Sequence, residues 1–184
     1  DYDLYWGRPL KSILAIFNKK IVNFDFFHLK SSDLITIDTD NNNKQKRVNN
    51  FKSYLNILNL QKIILDHEKR KIIILRKFNN ICSSRKLKNN FNEKLIEEVV
   101  NLVESPNVLM GKFSETYLKI PEEILIVTMQ QHQKYFPLFD ENSKLTNLFL
   151  IVSNLPDKSG YIKSGNQRVI EARLSDAKFF WIKT

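Results

Sequence analysis

Two apolar runs of strand length, residues 134–140 and 145–154, are separated only by Glu141-Asn142-Ser143-Lys144, and this constrains the fold more than any other stretch. Runs that meet across so short and polar a loop read as an antiparallel hairpin. Downstream, Gly165-Asn166 is the predicted start of a helix, on which Ile170, Leu174, Ala177 and Trp181 recur on one face. Arg168, Glu171, Ser175 and Lys178 fall on the other; Arg168 with Glu171 and Arg173 with Asp176 are spaced as i, i+3 ion pairs. Upstream, Pro121-Glu122-Glu123 suits a helix opening, with acids near the positive end of the dipole. That helix delivers residues 128–137, Thr-Met-Gln-Gln-His-Gln-Lys-Tyr-Phe-Pro, to the hairpin.

Earlier segments read as the scaffold for this last third. Residues 10–17 and 21–29 predict another hairpin, split by Asn18-Lys19-Lys20; Val22, Phe24 and Phe26 alternate with Asn23 and Asp25, so one face should be buried. Residues 31–50 are polar, with Asn-Asn-Asn-Lys-Gln-Lys-Arg at 41–47, and read as an exposed loop or insertion. Phe51, Tyr54, Leu55 and Leu58 mark a short helix, 61–65 is strand-like, and Asp66 is an N-cap for a helix running to about Ser84. A further helix over 92–105 and a strand over 108–113 follow. The fold class is therefore α/β in the α+β sense: a mixed, largely antiparallel sheet with covering helices. At 184 residues the chain fits a single domain, or one domain plus the start of a following helical region near 165–184. Phe179-Phe180-Trp181 leaves the end of the last helix apolar all round, so burial is expected there, as in a fragment cut from a longer protein.

Composition narrows the chemistry. The net charge of +9 lies entirely in the first half, where 18 basic and 8 acidic side chains occupy residues 1–90. Clustered cations suit a polyanion partner. From Lys69 to Lys88 there are eight basic residues and no acid, which reads either as a phosphate-facing stripe or as a solvated helix face. The single cysteine, Cys82, excludes an internal disulfide and a thiolate cluster. His28, His67 and His132 lack the spacing of a zinc site, so no metal is expected. Gly7, Gly111, Gly160 and Gly165 build no phosphate loop, and no apolar run of 18 residues occurs. The first residues, Asp-Tyr-Asp-Leu-Tyr-Trp, lack the pattern of a signal peptide, and a cytoplasmic protein is the expectation.

One cluster has chemical density: His132-Gln133-Lys134-Tyr135-Phe136 joins a titratable ring, an amide, a cation and aromatics. Such a set suits a phosphate backbone or an exposed base. It equally suits a helix end that packs Tyr135 and Phe136 inward and leaves His132 and Lys134 in water.

At these residues the chain resembles the beta subunit of the bacterial, heterotetrameric type of glycyl-tRNA synthetase. The resemblance is carried by Met129 with 132–137 (His-Gln-Lys-Tyr-Phe-Pro), by 149–154 (Phe-Leu-Ile-Val-Ser-Asn), and by 165–169 (Gly-Asn-Gln-Arg-Val) with 172–180 (Ala-Arg-Leu-Ser-Asp-Ala-Lys-Phe-Phe). Weaker echoes lie at 97–109 and at Arg8-Pro9. Gln167 stands where an acid is usual and Glu171 where a base is common, and 35–39 lacks a Gly-His-Arg-Phe-like signature. The resemblance implies an internal segment of a subunit that supports ATP-dependent attachment of glycine to tRNA by binding and positioning tRNA. ATP and glycine would belong to the alpha subunit, leaving no cofactor and no catalytic residue here. Implied partners are glycine tRNA and that alpha subunit, in an alpha2beta2 assembly. The implied tRNA-binding residues are His132, Gln133, Lys134, Tyr135, Asn166, Arg168 and Arg173, with Lys134, Arg168 and Arg173 as phosphate contacts. The segment also resembles the editing-type domain of the phenylalanyl-tRNA synthetase beta chain. Rival expectations are a purely structural domain without RNA contact and a relict tRNA-editing domain.

Overall fold

The computed structural model describes residues 10–39 and 42–183, without the side chains of 37–44. Arg8-Pro9 and Gly7 lie outside the described residues. The chain divides into two units, Asp1–Ile63 and Ile64–Thr184. The class is mixed α/β, but the strands are distributed over four small sheets among the described residues instead of the one mixed sheet expected.

The first unit is built from short strands: β1 (Ile13–Leu14), β2 (Ile16–Phe17), β3 (Lys20–Ile21), β4 (Asp25–Phe26) and β5 (Leu29–Ser32). β1 runs parallel to β5, β4 antiparallel to β5, and β2 antiparallel to β3. Asn18 and Lys19, at φ 48° and 64°, form the two-residue connection with positive φ at both positions that suits tight hairpins. The predicted buried face of 21–29 is absent: Val22 and Phe24 are exposed. Two-residue strands offer no broad face, and Ser31 instead satisfies their backbone, its hydroxyl accepting from the Phe24 amide and donating to the Val22 carbonyl.

Residues 31–50 are not a loop. They hold a hairpin of β6 (Leu34–Thr39) and β7 (Asn42–Arg47), in register from Leu34↔Arg47 to Thr39↔Asn42. A ladder is made of backbone groups, so a strand of Asn, Lys and Gln can pair without the apolar alternation that marks a half-buried one. An Asp33–Arg47 ion pair of 3.0 Å closes its base. α1 (Phe51–Leu60) follows as predicted, opened by a reciprocal capping box between Asn50 and Ser53. Val48 and Ile57 are the buried centre of this unit, with Leu14, Ile16, Ile35 and Tyr54 packed on them. Residues 61–65 make a turn at 61–62 and no strand.

In the second unit, α2 (His67–Arg85) is capped by the Asp66 carboxylate, as the sequence predicts, and α3 (Glu93–Leu102) by the side-chain oxygen of Asn92, which the predicted span places inside the helix. β8 (Asn107–Lys112) leads through a 3₁₀ turn (Glu115–Lys119) to α4 (Glu122–Val127) and a π-turn (Thr128–His132). The expected hairpin is β9 (Phe136–Phe139) and β10 (Leu145–Ser153), and α5 (Tyr161–Lys183) ends the unit. The sheet order is β8-β10-β9, all antiparallel.

β10 explains the layering. Leu148, Leu150 and Val152 join Ile74, Phe78 and Val99 of α2 and α3 on one face. Phe149 and Ile151, one residue out of phase, join Leu125, Met129, Ile170 and Leu174 on the other. A strand covered on both faces reads as a continuous apolar run, which is what 148–152 shows. Burying a side chain such as Phe149 contributes about 1.5–3 kcal/mol.

α5 begins at Tyr161 and not at Gly165, because Asp157 accepts the Ile162 and Lys163 amides at 3.1 and 2.8 Å and so satisfies free donors of the first turn. At its other end Phe180 and Ile182 are 70% and 65% exposed, so the predicted burial is not met within this chain. Among the described residues no helix is long and apolar enough to cross a membrane.

Candidate nucleic-acid interface

The two phrases singled out by the sequence meet in the second unit. α4 does not end cleanly; it widens into the π-turn, where Thr128 donates its hydroxyl to the Ile124 carbonyl at 2.8 Å and Met129 is fully buried. Widened turns of this kind occur frequently at functional sites. The chain then reverses at Lys134, which sits at φ 59°, and the Tyr135 amide donates back to the Met129 carbonyl at 2.9 Å. A lysine held in the left-handed region costs energy that surrounding contacts must offset. This reversal sends Tyr135 and Phe136 into the core and leaves Gln131 and His132 exposed.

Tyr135 is the pivot. Its ring stacks on Phe149 with centroids 5.0 Å apart, and Phe149 lies over Gly111, where an added Cβ would come within 2.6 Å of the ring. The Tyr135 hydroxyl donates to the Asn166 side-chain oxygen at 2.5 Å, and the Asn166 amide donates to the Ile162 carbonyl at 2.7 Å. Burial pushes the Tyr135 phenol up to about 12, so it stays a donor at neutral pH. On the other flank of α5, Gln167 and Glu171 accept the backbone amides of Lys112 and Ser114 at 3.2 and 3.1 Å. Both residues that depart from the resembled pattern thus fasten α5 to the edge of β8.

The remaining predicted residues are placed differently. Gln133 is half-buried. Lys134 forms a 2.9 Å ion pair with Glu98 of α3. His132, Arg168 and Arg173 are exposed and make no hydrogen bond or ion pair among the described residues. The expected helix pairs of Arg168 with Glu171 and Arg173 with Asp176 are not formed; the Glu171 carboxylate is engaged by Ser114 instead. Arg173 lies seven residues beyond Asn166, on the same side of α5, whereas Arg168 lies about 140° around the helix from Arg173. The structure therefore brings Tyr135 and Asn166 into contact and leaves the two arginines on separate exposed sides.

The basic stretch 69–88 resolves mostly into internal contacts. Arg70 donates to the carbonyls of Val100, Ile64 and Leu65 at 2.7–3.1 Å. Lys71 pairs with Glu93 and Glu97, Lys77 donates to the Pro106 carbonyl, and Lys88 to the Glu141 carbonyl. His67 adds a 3.0 Å contact to Glu97. These contacts hold the Glu97 carboxyl below the usual carboxylate range, chiefly through its hydrogen bond with Lys71. Glu98 and Asn154 fall in stretches that carry the resemblance, yet the sequence assigns them no role; the Asn154 side-chain oxygen accepts the Glu104 and Ser105 amides at 2.8 and 2.9 Å. No local signal marks either, since both partners are distant in sequence. Among the described residues no three His, Cys, Asp or Glu gather as a metal site.

A family model described as glycyl-tRNA synthetase beta subunit matches residues 1–183. The glycine–tRNA ligase beta subunit of Rickettsia peacockii (strain Rustic) is 40% identical over 181 residues, covering 98% of this chain and 27% of that protein. The corresponding subunit of Dictyoglomus thermophilum is 35% identical over 182 residues, covering 98% of this chain and 26% of that protein. The chain thus spans about a quarter of the length of the curated relatives it matches.

Proposed function

The chain belongs to the glycyl-tRNA synthetase beta subunit family, and on that premise we propose that it serves ATP-dependent attachment of glycine to tRNA by binding and positioning the tRNA. The observation that carries the reading is the Tyr135–Asn166 hydrogen bond, which locks the π-turn to α5, while His132 on the π-turn and Arg168 and Arg173 on separate sides of α5 make no hydrogen bond or ion pair among the described residues. Two arginines held on a rigid helix and not spent on carboxylates are what a phosphate backbone recognises. With its arginines on two sides, α5 suits a strand crossing the helix more than one running along it. Gly165 supports the same reading: a glycine inside a helix costs about 1 kcal/mol against alanine. Nothing lies within 4 Å of the Cβ it lacks, so no packing neighbour requires it. A bare backbone there admits close approach by a ligand.

In this reading ATP and glycine are handled by a separate alpha subunit in an alpha2beta2 enzyme of the cytoplasm, and this segment contributes no reacting group. Its fold is taken to be related to the editing-type domain of the phenylalanyl-tRNA synthetase beta chain, without an editing reaction. Replacing Lys134, Arg168 and Arg173 together by Glu tests it. Weaker tRNA binding with a flatter salt dependence is expected; unchanged binding by a folded triple variant would overturn it. A purely structural role is the second reading, favoured by the Lys134–Glu98 pair, which already neutralises one of the three cations.

A further inference from the structure

A cavity of about 580 Å³ opens in the first unit, within the range of small-molecule sites. Val48, 2% exposed, lies at its base, and Tyr54 lines it. Phe17 and Phe51 also line it, yet they are 76% and 67% exposed, so two rings stand at its mouth with most of their surface in water. Between β2 and β3 the turn holds Lys19 at the same opening, and Asn50 lies there too. The Asn50 side-chain oxygen accepts the Ser53 amide, and its amide nitrogen carries two N–H donors. Among the described residues no carboxylate lines the cavity.

Among the described residues the mouth therefore presents aromatic faces, a cation and donors, with no anion. An apolar protein segment would use the rings but would gain nothing from the cation and would leave the donors unpaired. A planar base uses the rings, its carbonyls or ring nitrogens use the donors, and its phosphate uses the ammonium. We propose that this cavity receives an unpaired nucleobase of a single-stranded RNA segment, stacked on Phe17 or Phe51 with its phosphate at Lys19. The inference goes beyond the reading above, because no residue of the second unit takes part.

The test compares two RNA hairpins of identical stem, one blunt and one carrying a four-nucleotide 3′ overhang, in anisotropy titrations of the 184-residue chain. The overhang should tighten binding at least about fivefold, the lower end of one stacked base. Phe17→Ala with Phe51→Ala should erase that preference. Phe17→Trp should keep it, with emission quenched by the overhang RNA alone, read against the parent protein. Arg168→Glu with Arg173→Glu should weaken both RNAs and leave the preference intact, so a failure of the earlier reading is distinguishable from a failure of this one. Equal binding of both RNAs, no binding of the overhang RNA, or a preference that persists in a folded Phe17→Ala/Phe51→Ala variant would each overturn the proposal.

Discussion

α2 and α5 are both long, charged helices of the second unit, and they spend their cations in opposite ways. Along α2 and its exit, Arg70, Lys71, Lys77 and Lys88 each have a defined acceptor, three of them donating to backbone carbonyls of other segments. On α5, Arg168 and Arg173 have none among the described residues, while the uncharged or acidic Gln167 and Glu171 do the fastening. Charge density alone therefore does not tell which cations of a helix are free of protein partners. On the denser helix Arg70, Lys71 and Lys77 hold the fold, while Arg76 and Arg85, like Arg168 and Arg173 on the sparser one, make no hydrogen bond or ion pair among the described residues.

Breaking an α2 contact should therefore cost stability and little else. Arg70→Met leaves three carbonyls without their donor, and a loss of about 2–4 kcal/mol is expected from denaturant midpoints. RNA affinity of the folded fraction should be unchanged; a selective loss of affinity would break the contrast between the helices.

Tyr135→Phe sharpens it from the other side. Removing the hydroxyl strands the Asn166 oxygen, at about 1–2 kcal/mol, and loosens the join of α5 to the π-turn, so RNA affinity should fall beyond what the unfolded fraction accounts for. The sign with pH follows from the raised phenol. Because the folded group titrates near 12 and the unfolded one near 10, its contribution is fully present below about pH 10 and is lost as pH rises toward 12. Tyr135→Phe should remove that alkaline loss, as thermal melts at pH 9 and 11 would register.

Gly165→Ala is expected to stabilise the fold by about 0.5–1 kcal/mol, since helix propensity favours alanine and the site is open. Reduced RNA affinity in the same variant would mark close approach to the backbone, whereas unchanged affinity would remove Gly165 from the interface.

The smallest effect is expected at the α2–α3 ion cluster. Glu97 is depressed mainly by its hydrogen bond with Lys71, so its contribution is present above the ordinary carboxylate pKa and is lost as pH falls through the lower folded value. Glu97→Gln should melt slightly below the parent at pH 7, with the gap closing in acid. A gap that widens toward low pH would contradict this sign.

Much of the second unit was legible because its signals are local. Asp66 precedes apolar periodicity and caps the helix it announces, and four polar residues between two apolar runs define the β9–β10 hairpin. β7 was not legible, because Asn42–Arg47 has no apolar side chain while its backbone pairs fully with β6, and the Ile35/Ile37 alternation of β6 is too short to announce a strand without a visible partner. The start of α5 was misplaced because the glycine at 165 outweighed the carboxylate of Asp157, although the acid captures two amides and the glycine sits inside the helix. At the candidate interface the residue types were visible but their roles were not. Tyr135 and Asn166 are 31 residues apart, and nothing local tells that one hydrogen bond joins them.

The most direct test of the contrast is a titration of glycine tRNA, beside an unrelated tRNA and at two salt concentrations, against three proteins. These are the parent, Arg168→Glu with Arg173→Glu, and Lys71→Gln with Lys77→Gln, whose cations are engaged by Glu93, Glu97 and the Pro106 carbonyl. The account predicts salt-dependent binding by the parent, a weaker affinity and shallower salt slope for the α5 variant, and parent-like binding by the α2 variant. Weakened binding in the α2 variant with an unaffected α5 variant would contradict it.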